Sequence, residues 1–221
     1  MATAGKIFSK SVNPVSVFMT PLVAFMIYVF NTLLINGNVP KYALHEDLLD
    51  QLQFFIYLSA GIFFISSYRT MRNGFLKLPL LLLILIIIFT AIEEINWGQN
   101  YFQFATPDYF ALNTTQVELS VHNLNNVQIY LHSAYVIAGL ILSFSWFISK
   151  RNKFKIMVPP WYLISYFLPI SIYYSLWEYS RKVDYFILWN QQEYFEFFFS
   201  AGILIWAITL KQKSNKIKLL T

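Results

Sequence analysis

Leu78-Pro-Leu-Leu-Leu-Leu-Ile-Leu-Ile-Ile-Ile-Phe89 runs directly into Thr90-Ala-Ile-Glu-Glu-Ile-Asn-Trp-Gly-Gln99. The first half has no polar residue and no alternation of apolar with polar positions. It therefore does not read as a strand of a membrane barrel, whose lipid and lumen faces alternate. With its flanks it supplies the roughly 20 apolar residues that a helix needs to cross a bilayer. The second half sets two adjacent carboxylates at the end of the most hydrophobic segment in the chain. A charge at membrane depth costs roughly 2.5–3.5 kcal/mol on insertion scales, so it tends to mark a functional group or a buried pair.

The whole chain has the same character. Of its 221 residues 57% are hydrophobic and only 12% are charged, with 22 Phe and 15 Tyr. Soluble domains carry about 25% charged residues, and half that density points to lipid as the solvent. The net charge of +5 does not describe a nucleic-acid footprint, because the basic residues sit at the ends of apolar segments rather than among stacking aromatics. Cysteine is absent, which excludes disulfides, thiolate metal sites and cysteine nucleophiles. Lys6 and Lys10 precede an apolar stretch that resembles a signal sequence. That stretch is long enough to span and has no clear small-residue cleavage site after it, so it is expected to be a retained first helix.

Six segments qualify as spanning helices, at about 15–36, 52–68, 76–95, 128–148, 159–178 and 194–210. The expected fold is all-α: residues 1–221 form a single polytopic membrane domain, a bundle of six transmembrane helices with a basic tail over 211–221. Loop charges orient it. Lys6 and Lys10, then Arg69, Arg72 and Lys77, then Lys150, Arg151, Lys153 and Lys155, then Lys211, Lys213, Lys216 and Lys218 fall on one side. His45, Glu46, Asp47 and Asp50, then Asp108 and Glu118, then a mixed Arg181, Lys182 and Asp184 fall on the other. Both termini are expected to be cytoplasmic, in a bacterial inner membrane. Pro159-Pro160 is placed to open helix five, and Pro169 to kink it.

The one long connection, 97–127, carries Trp97, Tyr101, Phe102, Phe104, Tyr109 and Phe110 around a Thr106-Pro107-Asp108 turn signal. It reads as an interfacial or re-entrant segment on the outer side, between helices three and four. Gln51-Leu-Gln-Phe-Phe-Ile-Tyr-Leu-Ser-Ala-Gly-Ile62 echoes Gln192-Glu-Tyr-Phe-Glu-Phe-Phe-Phe-Ser-Ala-Gly-Ile203. In both, Ser-Ala-Gly provides small residues for close helix packing. Asn113-Thr-Thr is a glycosylation sequon of a kind that arises easily by chance in a chain of bacterial character.

Polar groups gather at the predicted outer helix ends. Glu93, Trp97 and Asn100 share one helical face, whereas Glu94 points about 100° away. One acid is therefore expected to look into the bundle toward His122 and Glu196, and the other toward headgroups or a basic partner such as Arg181 or Lys182. Glu193, Glu196 and Ser200 share a face, with Glu196 a turn deeper. Gln99, Asn123 and Glu178 complete the set. His45, His122 and His132, all the histidines of the chain, fall on this side. Three such ligands with a glutamate base would suffice for a zinc hydrolase, although no compact His-Glu-x-x-His motif is present. Trp97, Trp177 and Trp189 read first as anchors in the aromatic belt.

Glu93-Glu-Ile-Asn-Trp-Gly-Gln99, with Thr106-Pro107 and His122-Asn123-Leu124 further along, resembles a group of bacterial multi-pass membrane proteins. Their pattern is Glu-Glu-Ile-Ser-Trp-Gly-Gln, then Thr-Pro, then Leu-His-Asn. His45-Glu46-Asp47 is similar as well, and the resemblance covers about 45 to 205. Asn96 stands in place of the Ser and Val121 in place of the Leu. What this resemblance implies is architecture rather than an activity. Glutamic intramembrane proteases of the CAAX-processing type share the Glu-Glu at a helix end, but Gly98 and Gln99 stand where their Arg is required. Alkaline ceramidase-like hydrolases place two His on the last helix, and helix six here has none.

The functional expectation is an outward polar pocket acting on a lipid-like substrate as hydrolase or transferase. Glu93 or Glu94 would be base or metal ligand, His122 acid/base or ligand, and Glu196 a ligand or orienting group, with a divalent metal such as zinc as the candidate cofactor. The rival expectation is a non-enzymatic subunit or sensor, in a homo-oligomer or a larger membrane assembly. A transporter ranks third, for want of polar groups at mid-membrane depth.

Overall fold

The computed structural model describes residues 13–35, 46–114, 117–149, 153–180 and 192–220. Among the described residues the chain is helical and forms no strand. Its helices are α1 (Pro14–Ile35), α2 (Glu46–Thr70), α3 (Gly74–Glu93), the short α4 (Gln99–Phe102) and α5 (Asp108–Asn113), α6 (Asn125–Ile148), α7 (Ile164–Ser180) and α8 (Gln192–Leu220). Four stretches are long and apolar enough to cross a membrane: Leu48–Thr70, Gly74–Glu93, Asn125–Ile148 and Gln192–Lys216. They correspond to the expected helices two, three, four and six. The apolar part of α1, Pro14–Ile27, and the 17-residue α7 are shorter.

The Leu78–Phe89 run shows why α3 forms and how it packs. Asn73 caps its start, accepting a hydrogen bond from Phe75 N at 3.1 Å, which satisfies one of the donors that a helix N-terminus leaves free. Leu76, Leu80, Ile84, Ile87 and Ala91 then recur at three- and four-residue spacing and are all buried. Leu78, Leu82, Leu85, Ile86 and Phe89 are exposed. In water that second face would be polar. Here it is as apolar as the first, as a lipid-facing helix requires.

The packing order is α3–α2–α8–α7–α6, with α2 on α8 the most extensive pair and α1 lying against α7. Gln53 Nε2 donates to Glu193 Oε2 at 3.0 Å near one end. Lys211 Nζ donates to Ser66 O at 3.1 Å near the other, so α2 and α8 run parallel. Tyr57, Phe64, Phe167, Tyr173, Ile203 and Leu210 fill the core between them and α7.

Several boundaries differ from expectation. The expected spanning helix at 194–210 runs on through the basic residues beyond it, since α8 continues as helix to Leu220. Pro159-Pro160 leads into a 3₁₀ turn at Trp161–Leu163, and α7 starts only at Ile164. The two Ser-Ala-Gly sites are not equivalent. A Cβ on Gly202 would lie 2.7 Å from Tyr166 Cβ on α7, whereas one on Gly61 would meet only Ile88 Cγ1 at 3.7 Å and Ile87 Cγ2 at 4.0 Å. Close approach is thus needed once, and against α7. The loop residues at 1–12, 36–45, 150–152 and 181–191, with the orienting charges they carry, lie outside the described residues.

The segment after α3 folds on itself. Asn96, Trp97 and Gly98 have φ of 49°, 56° and 82°, a run of left-handed backbone that reverses the chain. Gln99 then braces the loop beyond this turn: its Nε2 donates to Thr106 Oγ1 at 2.6 Å, and its Oε1 accepts from Leu119 N at 2.6 Å. Thr106 Oγ1 in turn donates to Val117 O at 2.8 Å. A Cβ at Gly98 would meet the Phe102 ring at 3.0 Å in a conformation that L residues disfavour. Gly98→Ala is therefore expected to cost about 1–2 kcal/mol, read as a lower unfolding midpoint of the detergent-solubilised protein.

Candidate functional site

Glu93 is the last residue of α3 and is 3% exposed. Its partners all come from the adjoining turn and loop. Trp97 Nε1 donates to Oε1 at 2.5 Å, the i,i+4 contact expected from their shared face. Oε2 accepts from Val121 N at 2.8 Å and His122 N at 2.9 Å, and it lies 3.1 Å from His122 Nδ1. Ser120 Oγ is 3.0 Å from the same Nδ1. Donation from His122 Nδ1 to Glu93 leaves Nε2 as the acceptor of the ring. Among the described residues Nε2 has no hydrogen-bond partner.

A second histidine is held the same way. His132, buried on α6, approaches Glu178 Oε1 on α7 through its Nδ1 at 2.6 Å. Its ring stacks on Tyr174 with centroids 4.6 Å apart. Tyr174 OH donates to Glu196 Oε1 on α8. Tyr174 and Glu178 stand four residues apart, and that spacing is the signal by which Tyr174 could have been found in the sequence.

These groups line one cleft. It has a volume of about 430 Å³ and runs between α3 and α6 over α8. Glu93, Glu94, His122, His132, Tyr174 and Glu196 give its polar end, and Leu83, Ile86, Ala138, Ile141, Ile203 and Trp206 line the rest. A smaller chamber of about 40 Å³ adjoins that end, bounded by Asp50, Glu118 and Glu193 and by Glu93, Glu94 and Glu196. No Lys or Arg lines either space among the described residues.

The expectation that only one of the adjacent acids faces inward is corrected here. Both line the cleft and border the chamber beside it, although Glu94 still has helical backbone angles and donates its N–H to Thr90 O at 3.1 Å. The inward neighbours are divided between them: Glu93 takes His122, while Glu94 shares the chamber with Glu196 and Glu193. Glu94 receives no hydrogen bond from a described residue. Glu196 and Glu193 are both partly buried and differ in partner, with Tyr174 on the first and Gln53 on the second. Gln99 stays outside the cleft as the loop brace. Asn123 lines it and donates to Glu118 Oε1, while Asn96 donates to Glu118 Oε2 at 2.7 Å. Ser120 and Tyr57 were not anticipated, and Glu118 was expected only as an outer loop charge; Ser120 and Glu118 join the site through the path of the loop.

The metal expectation does not find a ligand set. His45, like Arg181, lies outside the described residues. His122 and His132 each engage a separate carboxylate through Nδ1, and among the described residues no three His, Asp or Glu side chains are grouped to hold an ion. When the chain is compared with known protein families, with curated proteins and with solved structures, none matches.

Proposed function

We propose that this chain is a bacterial inner-membrane enzyme, a hydrolase or transferase, that acts on a lipid-like substrate in the cleft between α3 and α6. The observation that carries the reading is the Glu93–His122 pair at the polar end of a cleft with apolar walls. A buried carboxylate that fixes an imidazole through Nδ1 prepares Nε2 to take a proton from water or an acceptor hydroxyl. The nucleophile's oxygen would form the new bond to the substrate's electrophilic centre, and the proton held on His122 would pass to the leaving group. Tyr174 and Glu196 would orient the substrate, Glu178 would hold His132, and Glu193 and Asn123 would complete the polar wall.

In this reading α1 and α7 complete six spans, both termini are cytoplasmic, and the polar end faces outward beneath the 94–124 segment. That segment bears Phe102 at 80% and Leu112 at 82% exposure, which suits a piece resting in the headgroup layer. Membrane lipids are its expected partners.

The test is turnover of a membrane-lipid panel by the purified chain in nanodiscs, with products read by mass spectrometry. His122→Ala is expected to lower the rate by about 10²–10⁴-fold at unchanged folding. If His122→Ala, Glu93→Gln and Glu94→Gln all match the unaltered chain, the polar end is not catalytic. The alternative of a subunit or sensor within an assembly then takes its place.

A further inference from the structure

The end of the bundle away from Glu93 and His122 carries charge of one sign only. All eleven acids of the chain fall within 46–50, 93–118 and 178–196. None lies in the stretches that build this end, which are the end of α2, the start of α3, the 150–157 connection and the far part of α8. Asp184 follows Ser180 by four residues, a reach of at most about 14 Å. α7 ends there beside the start of α8, and Lys213 stands about 31 Å along α8 from Gln192. No carboxylate of the chain therefore offsets the basic groups at this end.

The fold draws three of those groups together. Trp206 Nε1 donates to Met157 O at 2.7 Å, which pins the 3₁₀ turn Lys153–Ile156 against α8. Lys155 is thereby set close enough to Lys213 for their charges to act on each other. Lys216 follows Lys213 by three residues and shares its face. Lys213 is partly buried, whereas Lys155 and Lys216 are exposed. Two neighbours are already engaged: Lys77 Nζ lies 5.4 Å from the centroid of the Tyr68 ring, and Lys211 Nζ donates to Ser66 O. Lys155, Lys213 and Lys216 have no hydrogen-bond or ion-pair partner among the described residues.

Membrane orientation asks only that basic residues lie on one side. It does not ask that two be brought together, one of them partly out of water, where like charges repel. An anion held between them turns that repulsion into attraction. We infer that Lys155, Lys213 and Lys216 bind the phosphate of an anionic phospholipid. Two observations favour a lipid over a soluble phosphate. The apolar stretch of α8 ends at Lys216, so the lysines stand at the level of the headgroups. Beside them Phe75 packs on Phe154 with ring centroids 5.5 Å apart, and Phe75 and Leu78 are 57% and 64% exposed. That face of α3 offers the acyl chains an apolar surface next to the charge. The site is separate from the cleft and stands whether or not the cleft is catalytic.

The full chain in mixed micelles is titrated with dioleoyl phosphatidylglycerol, dioleoyl phosphatidylcholine and free glycerol phosphate, and bound molecules are counted by native mass spectrometry. Phosphatidylglycerol is expected to bind at least about tenfold more tightly than phosphatidylcholine, and glycerol phosphate not to displace it. Lys155→Gln, Lys213→Gln and Lys216→Gln should each weaken phosphatidylglycerol by about fivefold at an unchanged unfolding midpoint. Lys182→Gln, which removes the same charge after α7, should not weaken it. Should any of the three variants fail to fold, salt provides the second reading. Raising it from about 50 to about 500 mM should abolish the preference of the unaltered chain, because screening acts on charge and not on acyl packing. Equal binding of the two lipids overturns the inference. So does a preference that survives the three substitutions or high salt, or one that Lys182→Gln lowers as much. Displacement by glycerol phosphate assigns the lysines to a soluble phosphate and overturns the lipid.

Discussion

Glu93→Ala is expected to be the most damaging single change at the polar end, lowering stability by about 3–5 kcal/mol. The carboxylate is buried and ties α3 to a segment almost thirty residues further on. It accepts from Trp97 Nε1 at 2.5 Å, from Val121 N at 2.8 Å and from His122 N at 2.9 Å, and it holds His122 Nδ1. Alanine would leave two backbone donors and an indole without their partner, each at a cost of about 1–3 kcal/mol if water cannot replace it. Glu94→Ala is the internal control. It removes the neighbouring acid of the same helix end but no hydrogen bond to a described residue, and it is expected to change stability by less than about 1 kcal/mol. Denaturation midpoints of both variants in mixed micelles, with proteolytic sensitivity of the 118–123 segment, measure the difference. Equal midpoints for the two would mean that Glu93 does not fasten the loop.

At the crossing of α6 and α7, Gly139→Leu is expected to prevent native packing, at more than about 3 kcal/mol, and Gly139→Ala to cost about 1–3 kcal/mol. A Cβ built on Gly139 would fall 2.1 Å from Ser171 Oγ and 2.6 Å from the backbone oxygen of Phe167. The first obstacle is a side chain that can be removed. The second is helix backbone and can yield only if the helices separate. Ser171 is buried and donates to Val136 O at 2.9 Å, so the crossing is held by the contact that forbids a larger residue. Ser171→Ala combined with Gly139→Ala should therefore recover part of the loss, a coupling that a double-mutant cycle reads directly. Gly74→Ala, where a Cβ would meet nothing within 4 Å, should be neutral or slightly stabilising. If Gly139→Ala behaves like Gly74→Ala, the close crossing is not a constraint.

Much of the architecture was legible from local pattern. The apolar runs locate α2, α3, α6 and α8 to within a few residues at most of their ends, because hydrocarbon demands unbroken apolar length and a helix satisfies its own backbone. The i,i+4 relation of Glu93 and Trp97 was also legible, since both lie within one turn. The pairing of His122 with Glu93 was expected only as a direction in which one acid would look. Its form, a carboxylate gripping backbone donors and ring together, depends on how residues 118–123 return over the end of α3. The left-handed run at Asn96–Gly98 makes that return; Asn and Gly both tolerate that conformation, but nothing marks Trp97, at φ of 56°, for it. The Tyr174–Glu196 contact crosses from α7 to α8 and has no local signature at all.

From the sequence alone came the solvent of the protein, its helical class, and the gathering of acids and histidines at one set of helix ends. Those follow from composition and period, which act on each segment separately. Only the tertiary structure decided that α3 and α6 stand apart across α8, that both Glu93 and Glu94 border the space between them, and that each described histidine is gripped by a carboxylate of its own. Those outcomes depend on which small residues allow helices to approach and on where a loop closes. No single segment carries that information, because each such contact is made by two stretches far apart in the chain.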